Sequence, residues 1–162
     1  LIAARPDLFE VENHGLNHVP AIELEGTVYD IAAAGSMEAV RSEVEEGARW
    51  IVKAGLAGPR WFRGATARYT PASASAIEAM GYRIAGYSLN ADDGASVSAR
   101  TAAKRLKAAS DGDVIIAHVN QPTHAAGAGV AEGLKALKAK GAVFVKLDAL
   151  EPEALAAVHG GG

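Results

Sequence analysis

The chain has 162 residues, 49% of them hydrophobic, which is enough to bury a sizeable core in one domain. A formal net charge of −3 gives no basis for nucleic-acid or anionic-membrane binding. No apolar run escapes charges for long enough to span a bilayer. The absence of cysteine excludes disulfides and thiolate zinc ligands and leaves the compartment open.

Taken in order, the opening Leu1-Ile2-Ala3-Ala4-Arg5-Pro6 reads as the end of a helix entering a turn, and predicts an upstream segment. Leu8 to Glu12 predicts a short strand leading into His14 and His18. Residues 23–35 read as a long, mildly apolar loop. Ser36 can cap a helix to about Ala54 with Gly55 as its C′ residue, and Val40, Val44, Ala48, Ile51 and Val52 form its apolar face. Arg60 to Arg63 predicts a strand. Thr70-Pro71 starts a helix with a cap and a proline at N1, and Gly81 ends it. A strand over Tyr82 to Leu89, a helix over Ser96 to Ala109 and a strand over Asp113 to His118 follow. The pattern closes with a helix over Gly129 to Lys140, a strand over Ala142 to Leu147 and a short helix over Glu151 to Val158. Gly160-Gly161-Gly162 is a tail without functional weight.

Strict strand–helix alternation predicts an α/β fold with parallel strands and outer helices, as a (β/α) barrel or an open doubly wound sheet. In a barrel, chemistry sits at the C-terminal ends of strands. The candidate residues recur there: His14 and His18 after the first strand, Arg63 after the second, Asp92 and Asp93 after the third, His118 after the fourth.

On a helical turn, histidines four apart face one side, close enough to share a metal ion; they also read as two turn histidines. Glu12, two residues before His14, points away along the strand. His118 is placed for a general acid, or for a hydrogen bond at a strand end. Arg63 leaves an apolar strand and needs a carboxylate, for which Asp93 is the candidate; Asp92-Asp93-Gly94 also reads as a solvated turn. His124 lies in an exposed loop, and His159 has no assigned role. No serine occupies a G-x-S-x-G elbow, and no glycine-rich phosphate loop is present.

In this order the motifs resemble those of the polysaccharide deacetylases, the NodB-homology group of carbohydrate esterases (family 4 type). The family's H-[ST]-x-x-H is matched by His14-Gly15-Leu16-Asn17-His18, with glycine at the hydroxyl position. Its R-x-P-Y corresponds to Arg63-Gly64-Ala65-Thr66, and its D-x-x-D-W to Asn90-Ala91-Asp92-Asp93-Gly94. Its L-x-H corresponds to Ile116-Ala117-His118. The match runs from about Leu8 to Leu147. The first motif, an early strand ending in aspartate, has no counterpart in residues 1–13.

The resemblance implies a distorted, incomplete (β/α) barrel over residues 1–159 that lacks its first βα segment, with that segment expected on a separate chain or fragment. It implies His14 and His18 as ligands of a divalent metal, zinc by donor type. It further implies His118 as acid to the leaving group, an Arg63–Asp93 pair tuning the base, and Thr66 and Ile116 at the substrate. The expected activity is removal of acetyl groups from an acetylated glycan, outside the cytoplasm. The alternatives are a non-catalytic glycan- or metal-binding protein of this fold, and a related α/β hydrolase of non-peptide C–N bonds.

Overall fold

A computed structural model of the chain describes residues 2–149. They fall into two compact units divided after Ala85.

The first unit opens without the expected strand at Leu8 to Glu12, where only Asn13 pairs, bridging to Phe62 in parallel. Its amide donates to Trp61 O at 3.1 Å and its carbonyl accepts from Arg63 N at 2.9 Å. The region expected as a loop contains a small antiparallel hairpin, β1 (Thr27–Val28) and β2 (Ile31–Ala32). Tyr29 and Asp30 turn it with φ of 50° and 63°. Two left-handed residues make the turn whose twist suits a two-residue hairpin, and without Asn-Gly or Gly the sequence hides it.

Helix α1 (Met37–Lys53) is capped as expected: Ser36 Oγ accepts from Ala39 N at 3.1 Å, and Gly55 takes φ 81°. Its buried stripe is Val40, Glu43, Val44, Gly47 and Ala48, a regular helical face that includes a carboxylate. Val52, expected on that face, is 54% exposed instead. Strand β3 (Trp61–Phe62) pairs in parallel with β4 (Arg83–Ile84). Both residues of β3 are buried, as in a strand covered on both faces. Between these strands lies α2 (Pro71–Ala79), where Thr70 and Ser73 form a reciprocal capping box behind Pro71. Ala21, Val40, Val44, Phe62 and Ile77 make the core, with Met37, Tyr69, Met80 and Ile84 packed on it.

The single strand expected over Tyr82 to Leu89 is two strands with different partners. Ala85 N donates to Phe62 O at 2.9 Å, ending the first ladder. In the second unit β5 (Leu89–Asn90) pairs in parallel with β6 (Ile115–Ile116). Gly86 lies between the two ladders, where the weak strand former lets the chain change partner.

Helix α3 (Ala99–Lys107) starts later than expected, because Ser98 rather than Ser96 caps it, accepting from Thr101 N at 3.2 Å. The Ser96 hydroxyl instead donates to Asp93 O at 2.6 Å. Helix α4 (Ala126–Ala139) starts three residues before Gly129, and that glycine packs inside it. A Cβ on Gly129 would collide with the Ala99 carbonyl, and one on Gly133 would lie 2.5 Å from Leu106 Cβ. Small residues thus let α3 and α4 approach closely over Ala102, Leu106 and Leu137. Ala142 to Leu147 forms no strand among the described residues: Ala142 N closes α4 on Leu137 O, and Val143 is 84% exposed. An apolar alternating pattern needs a partner backbone to become a strand. The helix expected over Glu151 to Val158, His159 and the glycine tail lie outside the described residues.

Candidate active site

In the first unit, His14 and His18 do not sit on a helical turn. Gly15 at φ 89° and His18 at φ 57° break any helix, and the segment is a loop. It brings the histidines together nonetheless, with ring centroids 4.9 Å apart and planes at 80°. Two imidazoles on one tetrahedral ion place their centroids about 5 Å apart, so the pair fits a shared metal.

The tautomer fits too. His14 Nδ1 contacts the carbonyl of Arg63. A carbonyl only accepts, so Nδ1 carries the hydrogen and Nε2 keeps the lone pair a metal needs. Arg63 thus meets the candidate ligands through its backbone. His18 is exposed in a left-handed conformation that few non-glycine residues adopt, a common mark of a functional loop.

The loop is moulded on α1. Asn13 Nδ2 donates to Val44 O at 2.7 Å, and Asn13 Oδ1 accepts from Gly15 N at 3.0 Å. The Glu43 carboxylate accepts from Asn17 N at 2.9 Å and Val19 N at 3.2 Å. Glu12 is engaged elsewhere, accepting from the amides of Arg60 and Trp61 at 2.8 and 2.7 Å.

After β3 the chain enters a tight 3-10 turn over Ala65–Ala67. Tyr69 holds its start, its hydroxyl oxygen accepting from Gly64 N at 2.7 Å; burial raises the Tyr69 pKa above its ordinary value. Thr66 sits at φ 66°, ψ −11°, and its buried hydroxyl has no partner among the described residues. A β-branched residue there costs about 1–2 kcal/mol in strain, and a buried unpaired hydroxyl adds about 1 kcal/mol or more. Thr66→Gly is therefore expected to raise stability by about 1 kcal/mol after the entropy cost of glycine. Thermal denaturation checks this; a lower melting temperature would mean the hydroxyl is satisfied.

In the second unit, β5 and β6 set the other candidates side by side. Asp92, fully buried, follows β5, and His118 follows β6. Asp92 Oδ2 accepts from His118 N at 2.6 Å, and Oδ1 from His118 Nδ1 at 2.8 Å. Burial pushes the Asp92 carboxyl up, but donation from the His118 amide and ring, the ring's charge and the Ala95 amide together hold it below the usual range. The ring is therefore pinned by Nδ1 with Nε2 left to exchange a proton.

Asp93, the expected carboxylate, is the exposed neighbour: its amide donates to Asn90 Oδ1 at 2.8 Å in a side-chain-closed turn, at φ 52°. The solvated-turn alternative thus describes Asp93, and Asp92 is the buried member that meets a histidine. Ile116 lies in β6 opposite Asn90, half-buried. His124 is exposed, as expected, with Nδ1 at 3.0 Å from Ala95 O. Asp92 stood among the strand-end candidates but without its His118 partner; Glu43 and Tyr69 are the contributors that motif reading did not single out. Only Glu43 carried a signal, a charge on the apolar face of a helix.

No family model matches the chain and no curated protein matches it. Solved structures do. A family 4 carbohydrate esterase from Streptomyces lividans shares 21% identity at TM-score 0.68, over 91% of this chain and 72% of that one. The peptidoglycan deacetylase PdaC from Bacillus subtilis shares 18% identity at TM-score 0.69, over 98% of this chain and 74% of that one. A mutant CE4-family pseudoenzyme with restored activity matches at 17% identity and TM-score 0.65, over 86% of this chain and 47% of that one. With parallel strand pairs and four α-helices among its described residues, the chain has the polysaccharide deacetylase fold of the family 4 carbohydrate esterases.

Proposed function

We propose that the protein is a metal-dependent hydrolase that removes N- or O-acetyl groups from a carbohydrate polymer. It would work outside the cytoplasm, on a distorted (β/α)-barrel domain. The observation that carries this is the imidazole pair, His14 and His18, with centroids 4.9 Å apart and the His14 tautomer set by Arg63 O. The described helices include none long and apolar enough to cross a membrane.

His14 and His18 would hold a divalent ion, zinc by donor type, through imidazole nitrogens. A bound ion supplies Lewis acidity toward the acetyl carbonyl and toward the attacking water. The Thr66 amide, presented by the left-handed turn, stabilises the oxyanion. His118 delivers a proton from Nε2 to the leaving amine or hydroxyl, while Asp92 holds Nδ1 and orients the ring. Ile116 offers apolar contact to the acetyl methyl. Arg63 and Asp93 enter by resemblance alone, as the charged pair that tunes the base, which in the family is an aspartate of the first motif and takes the proton of the attacking water.

The test is acetate release from N-acetylated chito-oligosaccharides and from peptidoglycan with zinc or cobalt added. Metal-dependent release is expected, and His118→Ala should cut turnover by about 10²–10⁴-fold with metal affinity unchanged. Glycan and metal binding without acetate release would instead establish a non-catalytic binding protein. Turnover of small cyclic imides or ureides alone would move the activity to other C–N bonds.

A further inference from the structure

The least expected group in the first unit is the Glu43 carboxylate. It is 2% exposed, on the face of α1 that otherwise carries Val40, Val44 and Gly47. A buried carboxylate is costly unless its oxygens are satisfied. Here they accept backbone amides of the histidine loop: Asn17 N at 3.1 Å to Oε1 and 2.9 Å to Oε2, and Val19 N at 3.2 Å to Oε1. The donors flank His18 on both sides. The Glu43 carbonyl adds a fourth contact, accepting from Leu16 N at 3.1 Å.

Space and charge agree. A Cβ on Gly15 would fall on Glu43 Oε1, so the carboxylate fills the room a side chain at position 15 would take. Gly47 is as tightly constrained: its Cβ would lie 2.5 Å from Asn13 Oδ1 and 2.9 Å from Gly15 C. The loop is therefore seated against one turn of α1, with the carboxylate as its plug. Oriented amides around an oxyanion form charge-assisted bonds stronger than neutral ones. They replace the intrahelical bonds that this segment, with Gly15 and His18 at positive φ, does not make.

We propose that Glu43 is the positioning residue for the metal ligands, fixing through the Asn17 and Val19 amides the loop that presents His14 and His18. This rests on the metal-site reading above. Groups that orient ligands shape metal affinity and geometry without touching the ion, typically by 10–100-fold.

Cobalt(II) serves as the probe, read by its visible d–d absorption and by competition with a chelator. Hydrogen exchange at the Asn17 and Val19 amides is followed alongside. In Glu43→Gln an amide oxygen at the Oε1 position still accepts from Val19 N, while the NH₂ group at the Oε2 position opposes Asn17 N, the shorter of the contacts. The expected result is cobalt binding at least tenfold weaker, a changed d–d spectrum, and faster exchange at both amides. Glu43→Asp keeps the charge but is one methylene short, and should fall between wild type and Glu43→Gln; it replaces the glutamine variant if that one does not fold. Variants that lose stability yet bind cobalt with the wild-type constant and spectrum would make Glu43 merely structural and overturn the proposal. Failure of the wild-type chain to bind cobalt would instead sink the metal reading on which it stands, and is seen before any variant is made.

Discussion

Replacing His14 or His18 with alanine is expected to remove metal binding from a chain that stays folded. Each variant gives up one of the two imidazoles whose rings lie 4.9 Å apart. Losing a ligand should cost more than the 10–100-fold typical of groups that only orient one, so binding weakens by over about 100-fold. The two variants differ in stability. His18 is exposed, so its loss should stay within about 0.5 kcal/mol. His14 gives up the contact with Arg63 O, worth about 1 kcal/mol. Elemental analysis after gel filtration, paired with thermal melts, reads both quantities. Unchanged metal content in the two variants would take the ligand role away from this loop.

Asp92→Asn should lower turnover and stability together, and with a defined pH dependence. The carboxylate accepts from the His118 amide and from its ring, so one partner faces an NH₂ group after substitution. The ring then loses the acceptor that orients it through Nδ1, and the general-acid step slows by about 10²–10⁴-fold. Losing charge-assisted bonds at a buried site costs roughly 1–3 kcal/mol at neutral pH. The folded-state pKa of Asp92 lies below the ordinary carboxyl value, so its stabilisation is fully present above the unfolded value of about 3.9. It is lost as pH falls through the lower folded value. Wild type and Asp92→Asn should therefore differ in full above the unfolded carboxyl value and converge as pH falls through the lower folded value in denaturant titrations. A gap that persisted in acid would show that the carboxylate's charge is not what stabilises the pair. His118→Ala should match the loss in turnover while sparing the metal site.

Much of the frame was legible in the residues. Ser36 and Thr70 each offer an oxygen to the first free amides of a helix, and both cap as expected. Gly55, Gly81 and Gly141 all adopt positive φ just past helix ends. The i, i+4, i+8 spacing of Val40, Val44 and Ala48 placed the buried face of α1. Such signals are local, since the groups that satisfy one another lie within a turn or two of chain. Strands were harder. Tyr82 to Leu89 split between two partners, and Ala142 to Leu147 paired with none among the described residues. A strand exists only where another backbone meets its amides and carbonyls, and that partner is distant in sequence.

The candidate site divides along the same line. Residue type and order alone brought forward His14, His18 and His118, because imidazoles following strands suit metal binding and proton transfer. Tertiary structure decided which partners make them useful. The carbonyl of Arg63, forty-nine residues from His14, selects the His14 tautomer. Asp92 rather than Asp93 meets His118, because the chain turns at Asp93 with φ 52°, which leaves Asp92 buried against the histidine and Asp93 in solvent. Glu43 shapes the loop from twenty-six and twenty-four residues away. Sequence determined which groups with useful chemistry are present and where the helices begin and end. Only the fold decided how those groups are paired, because a hydrogen bond depends on distance and direction in space and carries no trace in the linear order of the residues that make it.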